Sequence, residues 1–243
     1  MEQNMTLNGK RIVLLGGTSG IGLATAEMAA KEGATLVVAS RRQESVDRAV
    51  AFLPQGTEGH ALDLSNEEQV QSFFERIGLF DHLVFTAGEQ LLTGELAAIS
   101  LEQARRFFNL RLWGAFMAAK YGSGSIRPGG SIVLTSGTAG RHPLKGSTVT
   151  ASICGAAEAL TRALAVELAP LRVNAVCPGV VRTELWTNMS KEDREAMYQM
   201  TGQTLPMGRV GEARDLAEAY LYLMREGHST GQVIIVDGGA VLV

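Results

Sequence analysis

Cysteine is scarce. The 243 residues include two, Cys154 and Cys177, too few for a disulfide scaffold, and neither has neighbours at metal-ligand spacing. Basic excess is missing as well. Lys and Arg total 22 against 25 Asp and Glu, for a net charge of -3 and a pI near 5.9, so no positive field exists to attract nucleic acid. No apolar run approaches the ~20 residues that cross a bilayer. The opening Met1-Glu2-Gln3-Asn4-Met5 has neither a basic nor an apolar leader region. Linkers, repeats and low-complexity tracts are also absent. These gaps point to one domain over residues 1–243 in a reducing, cytoplasmic setting, with no metal and no nucleic-acid or membrane partner.

What the chain does have is 46% hydrophobic and 19% charged residues, a globular balance. Short β-branched apolar runs alternate with stretches of helical period, the pattern of a parallel sheet covered on both faces. Strands are expected at Arg11–Leu15, Thr35–Ala39, Gly59–Leu62, His82–Phe85, Ser131–Thr135, Arg172–Val176 and Val233–Val236. Helices are expected to start near Ile21, Arg42, Asn66, Leu101, Ala151 and Glu212, with Gly124, Pro128 and Gly129-Gly130 forming a turn. In the Ala151–Leu168 stretch, Ile153, Ala157, Leu160, Leu164 and Leu168 fall on one stripe. The expected fold class is α/β, a single Rossmann-type doubly wound parallel sheet of about seven strands. One segment, Glu184–Arg209, stands outside the alternation. It reads as a lid or substrate loop, with Ser190 and Asp193 as a capping box opening a short helix.

Gly16-Gly17-Thr18-Ser19-Gly20-Ile21-Gly22 follows a strand and opens a helix. Glycines allow a tight turn and close backbone approach, and the helix start offers free N–H groups and a positive dipole end to a pyrophosphate. The second strand ends in Ser40-Arg41-Arg42. Where an NAD site places an acid for the ribose hydroxyls, a hydroxyl and two guanidiniums suit a 2′-phosphate instead. The cofactor expected is therefore NADP(H).

With these residues in place, the chain resembles the short-chain dehydrogenase/reductase family over about residues 9 to 240. Gly16-x-x-x-Gly20-Ile21-Gly22 is similar to its cofactor loop, with Leu15 where a threonine is usual. Asp63-Leu64 resembles its adenine-contacting pair, and Thr86-Ala87-Gly88 its Asn-Ala-Gly turn. Pro178-Gly179-Val180-Val181-Arg182-Thr183 resembles its nicotinamide clasp, and Val236-Asp237-Gly238-Gly239 its closing strand. The resemblance implies a homodimer or homotetramer, joined through the Leu101–Tyr121 and Ala151–Leu168 helices.

The family's chemistry is carried by an asparagine, a serine, a tyrosine and a lysine four residues after the tyrosine. Only Asn109 persists. Glu158–Leu164 anchors the register, which puts Gly137 at the serine position, Thr150 at the tyrosine position and Cys154 at the lysine position. No tyrosine lies between Tyr121 and Tyr198, and Ser147–Ala165 contains no lysine, so sliding the register recovers nothing. Thr150 has no phenol to act as an acid near neutral pH. Cys154 is either a small buried hydrophobe or, if exposed beside a cation, a reactive thiol. His142 and Lys145, on the Gly140–Gly146 loop, are candidate substitutes for the missing proton donor and cation.

Three readings follow. One is an NADP-dependent oxidoreductase acting weakly or unusually on a small carbonyl or alcohol substrate. A second is a non-catalytic NADP(H)-binding sensor or assembly subunit. A third, a purely structural chain, sits poorly with the pocket at Ser40-Arg41-Arg42. The apolar content of Leu185, Trp186, Met189, Met197, Tyr198 and Met200 is compatible either with a hydrophobic ligand or with simple packing of the lid.

Overall fold

The computed structural model describes residues 6–243; the leader reading at Met1–Met5 lies outside them. Seven strands form one parallel sheet in the order β3-β2-β1-β4-β5-β6-β9. They are β1 Arg11–Leu15, β2 Thr35–Ser40, β3 Glu58–Ala61, β4 Phe80–Phe85, β5 Ile126–Thr135, β6 Arg172–Pro178 and β9 Val233–Val236. The order reverses between β1 and β4, the switch point where doubly wound sheets hold their ligands. A pair not expected from the sequence, β7 Val181–Arg182 with β8 Gly211–Glu212, brackets the Glu184–Arg209 segment.

The strands are apolar throughout because both faces are covered. Successive residues of β1 serve opposite sides. Val13 and Leu15 join Phe73, Phe80, Leu83 and Ile132 in one core. Ile12 and Leu14 join Val84, Val133, Leu216 and Tyr220 in the other. Helices α3 Glu67–Ile77, α5 Gly114–Gly122 and α6 Thr148–Glu167 cover the first side, and α1 Gly20–Lys31 and α8 Ala213–Arg225 the second. Tyr220, fully buried, lies 2.6 Å from the Thr135 hydroxyl and so ties α8 to the end of β5.

Several expected boundaries shift for local reasons. Arg42, Asn66 and Glu212 are helix N-caps rather than first residues, with Asn66 accepting from the Gln69 N–H at 3.0 Å. The expected turn at Gly124–Gly130 is largely strand. β5 begins at Ile126, Gly129 takes φ +85°, and the pairing with β4 slips between Phe80 and His82. Helix α7, Lys191–Thr204, is longer than expected. Ser190 accepts from the Asp193 N–H at 3.0 Å, but the Asp193 carboxylate takes the Ser190 hydroxyl instead of the backbone N–H, so half of the capping box forms. The helix expected over Leu101–Tyr121 is interrupted. α4 Leu101–Phe108 passes through a π-helical turn, Asn109–Trp113, into α5. Finally, α6 corrects the view that no segment is long and apolar enough to span a membrane. An 18-residue window within its 20 residues reaches a mean hydropathy of 1.3, and half of that window is buried in the fold. Ile153, Ala157 and Leu164 are buried, and Leu160 packs against the core, which accounts for the apolar content within the sheet layer.

His82 is the one histidine buried in the sheet, with Nδ1 2.9 Å from the Ser131 hydroxyl. Burial pushes its pKa down to about 3, against the pull of Asp81. The neutral ring is the form that folds. Stability from this site is complete above the ordinary 6.5 and is lost as pH falls from there toward 3, amounting to at most ~5 kcal/mol. Urea unfolding between pH 7 and 4 should show a steeper acid loss for the unmodified protein than for His82→Gln. Parallel losses would contradict this assignment.

Candidate functional site

The cofactor loop is built by close backbone approach. Gly16 takes φ +93°, and a Cβ there would lie 2.5 Å from the Ala87 nitrogen. A Cβ on Gly22 would lie 2.2 Å from the Gly16 carbonyl oxygen and 2.5 Å from the Thr86 hydroxyl. The Thr86 N–H donates to Leu15 O at 2.9 Å, fixing the end of β4 against the loop. Ser19 caps α1 in extended conformation without a side-chain bond, so the first N–H groups of the helix stay free. A compact anion on this cradle would meet N–H donors and the dipole end together.

At the end of β2, Ser40 is partly buried and Arg41 and Arg42 are exposed, and neither arginine makes an ion pair among the described residues. Asp63 faces them across the crevice. A hydrogen bond from the Ser65 hydroxyl (2.6 Å), with the charge of Arg41 adding, holds its carboxyl below the usual range against burial. On the opposite wall the Gly179 N–H donates to Val236 O at 3.1 Å, and a Cβ on Gly179 would lie 2.9 Å from Asp237. The Thr183 hydroxyl accepts from the Leu185 N–H at 3.3 Å, and a Cβ on Gly20 would lie 3.2 Å from Thr183, which brings the clasp over the glycine loop.

These walls enclose one cleft of about 1260 Å³ at the C-terminal ends of the strands. That exceeds the ~300–1,000 Å³ of a typical small-molecule site, leaving room for a dinucleotide and a second molecule. Every residue expected at the site lines it, from Gly16, Thr18, Ser19, Gly20 and Ile21 through Ser40, Arg41, Arg42, Asp63 and Leu64. Ala87, Gly88, Asn109, Pro178, Gly179, Val181 and Thr183 complete the set, with His142 and Lys145 on the rim. The free donors, the glycine cradle and the unpaired guanidiniums fit NADP(H).

Gly137, Thr150 and Cys154 come together in the same cleft. A Cβ on Gly137 would lie 3.0 Å from the Cys154 sulfur. The Thr150 hydroxyl, buried, donates to Leu92 O at 2.8 Å. Cys154 is buried, and burial pushes its thiol up to about 11, which removes the reactive-thiol alternative at neutral pH. His142 and Lys145 are exposed, and Lys145 lies 3.7 Å from the exposed Glu95. Their loop is anchored by Arg141, whose guanidinium donates to both oxygens of the buried Glu158 at 3.0 and 2.9 Å. Two cleft residues escaped the sequence reading, Glu89 and Arg111. Burial raises the Glu89 carboxyl above its ordinary value, with Arg111 and Arg41 opposing. The sequence hint was an arginine two residues after Asn109; the π turn that aims it is not legible in the sequence.

A Rossmann-type parallel sheet with a large cleft at its switch point defines the nucleotide-binding class of α/β protein. The family described as Enoyl-(Acyl carrier protein) reductase matches residues 16–241. The chain is 38% identical to short-chain dehydrogenase/reductase ATR9 of Stachybotrys chlorohalonatus, covering 98% of this chain and 99% of that protein. It is 43% identical to a small-chain dehydrogenase solved in complex with NADPH, at TM-score 0.87 over 97% of this chain and 100% of that one. MalC Reductase/Diels-Alderase from Malbranchea aurantiaca superposes at TM-score 0.92 with 29% identity, each chain covered completely. The chain belongs to the short-chain dehydrogenase/reductase family. The NADPH of the second relative accords with the cofactor expected from Ser40, Arg41 and Arg42.

Proposed function

We propose that the chain binds NADP(H) and is an oxidoreductase of weak or non-standard activity on a small, hydrophobic carbonyl or alcohol substrate. The carrying observation is the pair of unpaired guanidiniums, Arg41 and Arg42, at the end of β2 in the cleft that holds the free N–H groups of α1. A reduced nicotinamide bound there supplies the hydride, so the protein's task is to orient the acceptor and exclude water. The pyrophosphate would rest on Thr18 to Ile21, the 2′-phosphate on Ser40 to Arg42, and the nicotinamide end near Pro178 to Thr183.

Each charge-assisted bond contributes about 1.5–3 kcal/mol. NADPH should therefore bind about ten- to a hundredfold more tightly than NADH, and Arg41→Asp should remove most of that preference. Fluorescence titration reads both; equal affinities in the unmodified protein would sink the assignment. A second reading, a non-catalytic NADP(H) sensor or assembly subunit, is favoured by Gly137, Thr150 and Cys154, none of which can donate a proton to a carbonyl near neutral pH. Simple aldehyde and ketone panels should give turnover below the usual ~1 s⁻¹ despite tight NADPH binding. Exposed Trp113, Phe116 and Val166 on the α5 and α6 side support assembly into a homodimer or homotetramer, which sedimentation would measure. Two buried, unpaired cysteines suit a reducing, cytoplasmic compartment.

A further inference from the structure

Arg111 projects from the π turn into the substrate end of the cleft. Its guanidinium lies over the Phe107 ring, 4.8 Å from the centroid. It also presses against Gly88, where a Cβ would lie 2.7 Å from Nη1 and 2.8 Å from Cζ and Nη2. Nη2 donates to the carbonyl of Glu89. Nε is buried with no partner, and Nη1 makes no hydrogen bond among the described residues. No carboxylate lies within ion-pair distance of this group among the described residues. Glu89 is the charged neighbour that acts on it, and the adjoining Cys154 thiol, pushed up by burial, is neutral near pH 7. A cation held against an aromatic ring and a glycine, with donors to spare and no carboxylate in ion-pair contact, has already met the ordering and desolvation costs of binding an anion.

The clamp explains two oddities of the chain. Gly88 must lack a side chain because the guanidinium occupies that space. The π turn inserts one residue into the helix after Asn109, and such turns recur where a side chain must be re-aimed into a site. Arg111 also adjoins Cys154, the position where the family's lysine would put its charge. The charge thus persists in the cleft, carried by a different element.

We propose that Arg111 is an anion-binding residue of the substrate site, taking the carboxylate of a carbonyl compound that bears one. This deepens the oxidoreductase reading and rests on it. The guanidinium suits the planar, two-oxygen geometry of a carboxylate, and the surrounding Phe107, Leu110 and Ile153 suit an apolar body.

The test is calorimetric titration of the NADP⁺-saturated protein with benzoate, a flat stable carboxylate. The unmodified protein should bind benzoate, Arg111→Met should bind it at least tenfold more weakly, and Arg111→Lys should recover part of the loss. Arg76→Ala, on the exposed face of α3 and outside the cleft lining, should bind benzoate as the unmodified protein does. Gly88→Ala displaces the guanidinium without deleting it and should also weaken benzoate, which keeps the test decisive if Arg111→Met fails to fold. NADP⁺ affinity is measured for each variant in the same series. Benzoate binding that is absent from the NADP⁺-loaded protein, or unchanged in the folded variants, overturns this proposal alone. Failure of the unmodified protein to bind NADP⁺ overturns the cofactor reading, and this proposal with it.

Discussion

Gly22→Ala should lose NADPH binding by a hundredfold or more, about 2.7 kcal/mol. The added methyl carbon would lie 2.2 Å from the Gly16 carbonyl oxygen and 2.5 Å from the Thr86 hydroxyl. The first contact is backbone, so no rotamer relieves it, and the loop must spring away from β4. Overpacking of this kind costs about 1–3 kcal/mol of stability. The larger consequence falls on the ligand, because the displaced loop is the one proposed to offer its N–H groups to the pyrophosphate. Gly155→Ala is the matched control. It sits in α6 with nothing within 4 Å of an added Cβ, and should be neutral or stabilising by about 0.5–1 kcal/mol. Thermal melting and fluorescence titration on both variants separate the two effects. A folded Gly22→Ala protein that binds NADPH as the unmodified one does would show that the crowding is relieved elsewhere.

The fold was legible because its determinants are local. Runs such as Ile12–Leu15 and Leu36–Ala39 are apolar at every position, and only a sheet covered on both faces makes use of that. The cofactor half of the cleft was legible for a related reason: Gly16 to Gly22 and Ser40 to Arg42 each sit at one strand end, where adjacency in sequence is adjacency in space. The substrate half was not, because it is assembled from separate elements. Arg111 depends on a helix leaving its 3.6-residue period for one turn, and Arg141 on a partner, Glu158, seventeen positions away. Sequence spacing singled out His142 and Lys145 and passed over Arg111, although Arg111 is the one held against both a ring and a backbone glycine.

Gly137→Ser, Thr150→Tyr and Cys154→Lys, combined in one chain, should confer measurable carbonyl reduction, well above that of the unmodified protein. A restored proton donor is worth about 10²–10⁴ in rate. The changes are coupled through contact. A Cβ at Gly137 would sit 3.0 Å from the Cys154 sulfur, so Gly137→Ser alone crowds a buried thiol that the third change removes. Thr150→Tyr gives up the bond to Leu92 O and must turn a ring from a buried position into the cleft. The new ammonium would share that cleft with Arg111, whose charge lowers the lysine's own proton affinity while both cations favour the phenolate. No single change should suffice, since residues acting as a unit are strongly non-additive. Overpacking at the two buried positions costs about 1–3 kcal/mol, so folding and NADPH saturation are checked before turnover is read. A folded, saturated triple variant that reduces no ketone in a broad panel would mean that the cleft has lost the room to place a carbonyl beside the cofactor. The sensor or assembly-subunit reading would then be the stronger one.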